Sequence, residues 1–309
     1  MKLRLNNTRK LFLFGALVAL FSMSACKKDN NVPADNTING IVSATSDFST
    51  LNAAVKKAGL SATLSSDGPF TVFAPNNAAF TASGITPAVL GSLTSDQAKN
   101  ILLYHTIAAK IMAADVPAGP NAPVDAANGD KVYVTKNSSG VFINGIKVID
   151  ADVKASNGVI HVIGNVLMPP SGNIVEMAQA NPNLSFLVAA VVTANLQGAL
   201  SGAGPLTVFA PTNDAFKAAG FPTIASIQAA DPAVLTSILT YHVIGARVFS
   251  SDLTDGAQVA TLNGEKVTIG LSSGATVKGM SNTSASNITA TNMVATNGVI
   301  HVIDQVLLP

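Results

Sequence analysis

The sequence predicts an α+β fold that is built twice in tandem. Three sequence blocks recur in the same order, about 136 to 140 residues apart. Within each copy, segments with helical spacing come first and strand-type runs follow them. That order is typical of helices packed beside a mostly antiparallel sheet.

The three recurring blocks define the copies. Residues 68–80 (GPFTVFAPNNAAF) match residues 204–216 (GPLTVFAPTNDAF), and residues 101–107 (ILLYHTI) match residues 238–244 (ILTYHVI). The last thirteen residues (NGVIHVIDQVLLP) match residues 157–169 (NGVIHVIGNVLMP). Units of this length close their own cores, which predicts two domains, at residues 37–169 and 172–309.

Each copy begins with predicted helices. Leu51, Ala54, Val55 and Ala58 have helical spacing, and Gly59 is suited to end that helix. A strand over residues 70–74 and a second helix over residues 95–103 follow. In the second copy the corresponding strand covers residues 206–210, and an Asp-Pro pair at 231–232 opens the corresponding helix.

The remainder of each copy reads as strands and turns. Residues 131–136 and 141–149 flank a polar turn and predict a β-meander, as do residues 262–271 and 276–280. The closing block is rich in β-branched residues after an Asn-Gly turn, and it predicts a buried strand that completes each domain.

The N-terminus predicts export. Four basic residues precede an apolar run over residues 11–21, and this run is shorter than the roughly 20 residues of a membrane-spanning helix. Ser24-Ala25-Cys26 resembles the bacterial lipobox. We therefore expect residues 1–25 to be a signal peptide, Cys26 to be lipidated, and residues 26–36 to be a tether. The alternative is an ordinary signal peptide with an unrelated cysteine.

The expected processing changes the net charge. Residues 1–25 contain four of the 18 basic residues and none of the 17 acidic ones, so the mature chain has a net charge of −3. No basic patch remains, which argues against nucleic acid as a partner. Lys27, rather than Asp, follows Cys26, and this resembles the sorting pattern of lipoproteins that reach an outer membrane. We therefore expect a lipid-anchored envelope protein, exposed at the surface of the outer membrane.

The three blocks together resemble the fasciclin domain, in two copies over residues 37–309. That family has a first motif similar to residues 207–216, a Tyr-His pair, and a second motif similar to residues 297–309. The first copy departs from the pattern at Ala78 and Gly164, where the second copy has Asp214 and Asp304.

The resemblance implies a β-sheet wedge with helices packed at its side and with the two motifs together in the core. It also implies an extracellular adhesion role, without enzymatic activity for most members. In animal members a Tyr-His segment and an Asp-Ile pair are linked to integrin binding. The matching positions here are candidate binding residues: Tyr104, His105, Asp152, Val153, Tyr241, His242, Asn292 and Met293.

Five further motif positions are interpreted as structural: Asn157, His161, Asp214, Asn297 and His301. All four histidines lie at duplicated positions, and no cysteine or acidic cluster stands at metal-ligand spacing beside them. We therefore predict no metal, no cofactor and no catalytic residue. Gly270-Leu-Ser-Ser-Gly274 matches the G-x-S-x-G nucleophile motif in sequence only. It lies between two predicted strands, whereas that motif needs a strand followed by a helix. Loop residues such as Phe221 and Phe249 are candidates for an exposed apolar patch.

Three functions remain open from the sequence. The leading hypothesis is an anchored adhesion protein whose two domains bind a cell-surface or matrix protein or a polysaccharide. The second is a structural envelope spacer. The third is a small-molecule or glycan hydrolase that uses the histidine-containing sites.

Overall fold

The computed structural model describes residues 35–309, and these form one compact unit. The predicted signal peptide, Cys26 and most of the predicted tether lie outside the described residues. Within residues 35–309, no helix is both long and apolar enough to cross a membrane.

The first repeat contains short helices followed by a sheet, as its sequence pattern predicts. Its helices are α1 (Ile38–Ala44), α2 (Ser49–Lys57), α3 (Ser61–Ser65), α4 (Asn77–Ala82), α5 (Pro87–Ser92) and α6 (Ser95–Tyr104). Its strands are β1 (Phe70–Pro75), β2 (Thr106–Ile107), β3 (Gly119–Asp125), β4 (Lys131–Asn137), β5 (Gly140–Ile143), β6 (Ile146–Ala155) and β7 (Gly158–Ile163). A 3-10 turn, Ser46–Phe48, leads into α2.

The second repeat follows the same order. Its helices are α7 (Ile174–Gln179), α8 (Ser185–Thr193), α9 (Gln197–Ser201), α10 (Asn213–Ala218), α11 (Ile224–Gln228) and α12 (Pro232–Tyr241). Its strands are β8 (Leu206–Pro211), β9 (Val243–Ile244), β10 (Gln258–Ala260), β11 (Lys266–Gly270), β12 (Thr276–Lys278), β13 (Ser286–Ala295) and β14 (Gly298–Ile303). The 3-10 turns Pro182–Leu184 and Ser250–Asp252 complete it.

Each repeat forms one seven-stranded sheet with the same strand order. The order is β2-β1-β7-β6-β5-β4-β3 in the first repeat and β9-β8-β14-β13-β12-β11-β10 in the second. All neighbouring pairs are antiparallel except β1 with β7 and β8 with β14. The predicted α+β class and its mostly antiparallel sheet are confirmed.

The parallel pair brings the first and last sequence blocks of a repeat together. Phe73 of β1 lies opposite His161 of β7, and Phe209 of β8 lies opposite His301 of β14. Both partner strands in each pair are buried along almost their whole length. The expectation that the two motifs share the core is therefore met.

Local sequence signals set the helix ends. Thr94 caps α6 in a reciprocal pair with Gln97, and Asp231 caps α12 with Pro232 in its first turn. Thr212 caps α10 by accepting from the Ala215 N–H. Gly59 follows α2 with φ +68°, a backbone conformation that favours glycine and that ends the helix.

The closing strand is shorter than its apolar run suggests. β14 ends at Ile303, and residues 304–309 leave the sheet although Val306 and Leu307 stay buried. The Leu307 N–H donates to a histidine at the end of α12 instead of to a neighbouring strand. That side-chain bond replaces the ladder bond and lets the segment turn towards the helices.

Candidate functional site

The Tyr-His pairs lie inside the protein. Tyr104 and Tyr241 are 0% exposed, and His105 and His242 are 1% exposed. The Tyr104 hydroxyl donates to the Lys131 carbonyl and accepts from the Asn144 side chain. These four residues, predicted as candidate binding positions, therefore form no part of an exposed contact surface. Burial also raises the pKa of the Tyr104 phenol well above its usual value.

His105 joins the end of α6 to the segment after the closing strand. The Leu167 N–H donates to His105 Nε2 at 2.9 Å, so Nδ1 carries the proton and donates to the Ile101 carbonyl at 2.8 Å. In the second repeat the same bonds join His242 to Leu307 and Ile238. Burial lowers the pKa of both imidazoles to about 4, and the bonds to the helix carbonyls offset this only in part.

The histidine in each closing strand has the opposite tautomer. The Asp152 N–H donates to His161 Nδ1 at 3.2 Å, so Nε2 donates to the Ile111 carbonyl at 2.8 Å. The Asp152 carboxylate lies 3.9 Å from Nδ1, but this nitrogen is an acceptor, so the two do not form an ion pair. His301 makes the matching bonds with Asn292 and Val248. Burial lowers the pKa of His301.

Asn157 ties three segments of the first repeat together. Its Oδ1 accepts the Ile38 N–H, and its Nδ2 donates to the carbonyls of Leu64 and Ser66. Asn297 does the same in the second repeat, with these partners: Ile174, Leu200 and Gly202. Every donor of the buried amide is used, which gives these motif positions a structural explanation.

Asp214 and Asp304 differ from the other motif positions because they lie near the surface. Asp214 is exposed and pairs with Lys217 at 2.8 Å, three residues along α10. Asp304 accepts from the backbone and side chain of Asn287 and from Ser286. These bonds lower the pKa of Asp304, although its partial burial, the largest single contribution, opposes the shift. The Asp214 pair is too exposed to contribute much to stability.

The pairs 152–153 and 292–293 are half-buried. Val153 and Met293 pack against the helix-side cores, whereas Asp152 and Asn292 position a loop in each repeat. We call residues 108–118 the first clasp loop and residues 245–257 the second clasp loop. Asp152 (φ +61°) accepts the Ala113 N–H, and Asn292 (φ +63°) accepts the Ser250 N–H. Asp and Asn tolerate this left-handed conformation better than most residues, which explains their presence at the bulge.

The second clasp loop contacts the first repeat. The Arg247 guanidinium lies over the Tyr133 ring, 4.1 Å from its centroid, and its Nη1 donates to the Gly298 carbonyl at 2.7 Å. Phe249 is 0% exposed and packs 6.0 Å from the Tyr133 ring. The expectation that Phe249 contributes to an exposed patch is wrong, because the first repeat covers it.

Polar side chains of β3 and β4 complete this contact. The Asn121 amide donates to the Arg247 carbonyl at 2.7 Å, and the Thr135 hydroxyl donates to Asp252 at 3.0 Å. Asn137 donates to the Ser251 carbonyl at 3.0 Å. The contact therefore combines an aromatic centre with a polar rim, as protein interfaces do.

The first repeat has a surface equivalent to the one through which the second clasp loop contacts it. Within residues 35–309 this equivalent surface is not covered by the other repeat. Equivalent backbone bonds align Lys110 with Arg247, Met112 with Phe249, Asp115 with Asp252, and Asp152 with Asn292. We call Lys110, Met112, Asp115 and Asp152 the open face. Lys110 and Asp115 are exposed, and the other two are half-buried, whereas all four counterparts are half-buried or buried.

The described part of the chain was expected to contain no metal site. No group of three or more His, Cys, Asp or Glu residues within residues 35–309 is arranged to bind an ion. In residues 270–274, which resemble a nucleophile motif, Gly270 ends β11 and the other four residues lie in the turn before β12.

Comparison with known families decides the identity of the two repeats. The fasciclin-domain model matches residues 46–169 and again residues 182–309. The chain belongs to the fasciclin family. We therefore refer to the two repeats as fasciclin domains 1 and 2, and the predicted sheet wedge with helices at its side is the architecture observed.

Relatives of the two fasciclin domains come from animals and bacteria. The chain is 28% identical over 247 residues to transforming growth factor-beta-induced protein ig-h3 of Sus scrofa, covering 78% of this chain and 35% of that protein. It is 30% identical over 247 residues to periostin of Homo sapiens, covering 78% and 28%. Protein sll1483 of Synechocystis sp. is 44% identical over 136 residues, covering 43% and 74%.

The first two of these relatives are much longer than the chain, which spans about a third of their length. Among solved structures, a FAS1 domain pair from the insect cell adhesion molecule Fasciclin I aligns with 19% identity and a TM-score of 0.42. That alignment covers 85% of this chain and 97% of the insect one.

Apart from Phe249, which was expected in an exposed patch, the sequence did not single out the residues of the contact between the domains. None of the recurring blocks includes Arg247, Tyr133 or Asn121. Their contact partners lie more than a hundred residues away in the sequence. The one available signal was the difference between the copies, where Arg247 and Phe249 replace Lys110 and Met112.

Proposed function

We propose that this chain is an anchored adhesion protein that binds a partner protein through the open face of fasciclin domain 1. The observation that carries the proposal is the contact between the domains. In domain 2 the equivalent face binds a protein surface, namely β3 and β4 of domain 1. One of the candidate positions, Asp152, is part of the open face.

The domain contact indicates which chemistry a partner would present. Tyr133 stacks on Arg247, and a hydroxyl donates to Asp252. Lys110 and Asp115 offer the same cation and carboxylate, so a partner would present an aromatic ring beside a hydroxyl or amide donor. Asp152 adds a negative charge that Asn292 lacks, which favours a basic group nearby.

Family membership supports a binding role, because fasciclin domains are known for adhesion and binding in related proteins. The identity of the partner is part of this proposal, and so is the choice of a protein over a polysaccharide. So is the predicted anchor: lipidation of Cys26 would place the domains at the outer membrane surface. A Cys26→Ser chain should be released from membranes once residues 1–25 are removed, and continued membrane attachment of that processed chain would refute the anchor.

Catalysis by the histidines receives no support from their hydrogen bonds. All four histidines lie within residues 35–309, and each ring uses both nitrogens in bonds to the backbone. A general base needs a nitrogen that reaches the substrate proton. We therefore propose a binding protein rather than a hydrolase.

An adhesion assay tests the open face. Beads coated with the Cys26→Ser chain are applied to cells, to matrix proteins and to polysaccharides, and the same is done with a Lys110→Glu variant. We expect the variant to lose adhesion, because Glu in place of Lys110 removes the cation and adds repulsion. The matched control is Lys217→Glu, since Lys217 is also exposed but lies on α10, outside the open face.

The outcomes separate the hypotheses. Loss with Lys110→Glu but not with Lys217→Glu supports binding through the open face. Adhesion that is equal in all three chains places the contact elsewhere. Absence of adhesion by the parent chain to every surface favours the envelope-spacer alternative. Adhesion to polysaccharides alone would correct the partner class.

A further inference from the structure

Fasciclin domain 1 contains an apolar cavity beneath the first clasp loop. Its volume is about 260 Å³. The sheet strands β1 to β7 form its floor and walls, and the first clasp loop forms its roof. The apolar lining includes Phe73, Ile111, Val116, Val124, Val141 and Val148.

The two polar side chains inside the cavity are already satisfied. Thr71 donates to the Ala109 carbonyl at 2.6 Å and accepts the Ile111 N–H at 2.9 Å. His161 uses both ring nitrogens for backbone bonds. An ionic or strongly polar group placed there would find no partner, and burying it unpaired is costly. The lining chemistry therefore selects an uncharged, apolar occupant.

Part of the cavity wall remains accessible to solvent. Ile111, Val124, Val141 and Val148 are only half-buried, although they face an otherwise apolar core. An occupant that covers these side chains would remove apolar surface from water, which is favourable. The volume lies just below the roughly 300–1,000 Å³ typical of drug-sized ligand sites, so the occupant is a small molecule.

The roof is fixed in the structure. The Lys136 ammonium donates to the carbonyls of Ala113 and Val116 at 3.0 and 3.1 Å, and this ties the first clasp loop to β4. Lys110, Asp115 and Pro117 are exposed where the roof meets solvent, and they mark the rim. A preformed roof reduces the ordering cost of binding.

We propose that fasciclin domain 1 binds an uncharged apolar small molecule, such as a fused-ring or short hydrocarbon compound, in this cavity. The cavity shares Lys110 and Asp115 with the open face at its rim, but its apolar interior lies beneath the loop. The proposal does not depend on adhesion.

A fluorescent probe tests the site directly. N-phenylnaphthylamine is uncharged and apolar, and its emission rises in apolar surroundings. It is titrated into the detergent-free full chain carrying Cys26→Ser and into a filled variant, Ala122→Leu with Val124→Phe. Both substituted side chains line the cavity. We expect saturable binding by the parent and a loss of about tenfold or more in affinity in the filled variant.

Domain 2 supplies the matched control. Ala257 and Val259 occupy the equivalent positions beside β11, so Ala257→Leu with Val259→Phe makes the same change in the other domain. That control should bind the probe as the parent does. A second variant, Val148→Phe, fills the cavity of domain 1 from β6 and should reproduce the loss if the first variant folds poorly by circular dichroism.

Three results would overturn the proposal. One is a parent chain without saturable probe binding. Another is a folded filled variant that keeps the parent's affinity. The third is a control variant that loses as much affinity as the filled variant, because the probe would then bind outside domain 1.

Discussion

The two clasp loops are held by the same bonds but have different surroundings. In both domains a buried threonine, the closing-strand histidine and an Asp or Asn at the bulge bind the loop backbone. The second loop then packs against domain 1 through Arg247 and Phe249, whereas the first presents Lys110 and Met112. The shared bonds define the domain, and the outer residues determine what the loop contacts.

The largest expected effect tests the shared interior and comes from acid. Burial holds the pKa of His105 and His242 at about 4, against 6.5 in an unfolded chain. A histidine with a depressed folded pKa stabilises fully above pH 6.5, and that stabilisation is lost as the pH falls towards 4. We expect each to contribute about 3 kcal/mol over this range. Urea unfolding between about pH 7 and pH 4 measures the loss.

The control for this prediction removes the titrating groups. A double variant, His105→Gln with His242→Gln, should be less stable at neutral pH but should lose the share of the pH dependence that these two histidines cause, while the share from His301 remains. An unchanged slope of unfolding free energy against pH would show that other groups cause it.

The next effect tests whether Asn157 and Asn297 contribute equally to the stability of their domains. Asn157→Ala and Asn297→Ala each leave one buried N–H and two carbonyls without their partner. We expect a loss of about 3 kcal/mol for each. Denaturant unfolding provides the comparison, with the exposed Asn183→Ala as a control that should change stability by about 0.5 kcal/mol or less. Clearly unequal losses of unfolding free energy would contradict the view that the two domains rely on the same interior hydrogen bonds.

The duplicated sequence made much of the fold predictable. The repeated blocks, the Asn-Gly turns and the helix caps are local signals, and the structure places them as expected. The parallel pairing of β1 with β7 is not local, because it depends on which distant strands share the core. It joins residues almost ninety positions apart, such as Phe70 and Gly158.

The candidate site was less predictable. The Tyr-His pairs were carried over from a family resemblance, yet they end a helix whose last turn faces the core. His105 must reach back to Ile101 and forward to Leu167, and both bonds require burial. The contact through Arg247 depends on how one domain packs on the other, and residue patterns within a domain do not encode that.

A smaller effect separates the open face from its counterpart in domain 2, the covered face, which consists of Arg247, Phe249, Asp252 and Asn292. Arg247→Ala removes the stack on Tyr133 and the bond to the Gly298 carbonyl. We expect a loss of about 2 kcal/mol. Lys110→Ala changes an exposed side chain at the equivalent position, so a change of about 0.5 kcal/mol or less is expected. Thermal unfolding measures the stability of both variants. Equal losses would mean that Arg247 adds no stability through the domain contact.

The smallest effect tests how closely the domains approach. Gly145 has φ +76°, and a Cβ there would lie 2.5 Å from Asn292 Nδ2 in domain 2. Asn292 cannot easily move aside, because its side chain bonds the backbone and hydroxyl of Ser250. Gly129 has φ +94° with no atom within 4 Å of its Cβ position, so Gly129→Ala measures backbone strain alone. We expect Gly145→Ala to cost about 1 kcal/mol more than Gly129→Ala.

A double-mutant cycle assigns that difference to the domain contact. Asn292→Ala removes the crowding atoms, so the added cost of Gly145→Ala should fall to that of Gly129→Ala in the Asn292→Ala background. Because Gly145 and Asn292 lie in different domains, a coupling of this size requires the domains to remain in contact in solution. If the two substitutions are additive, the close approach is absent in solution, and the covered face of domain 2 would then be as accessible as the open face of domain 1.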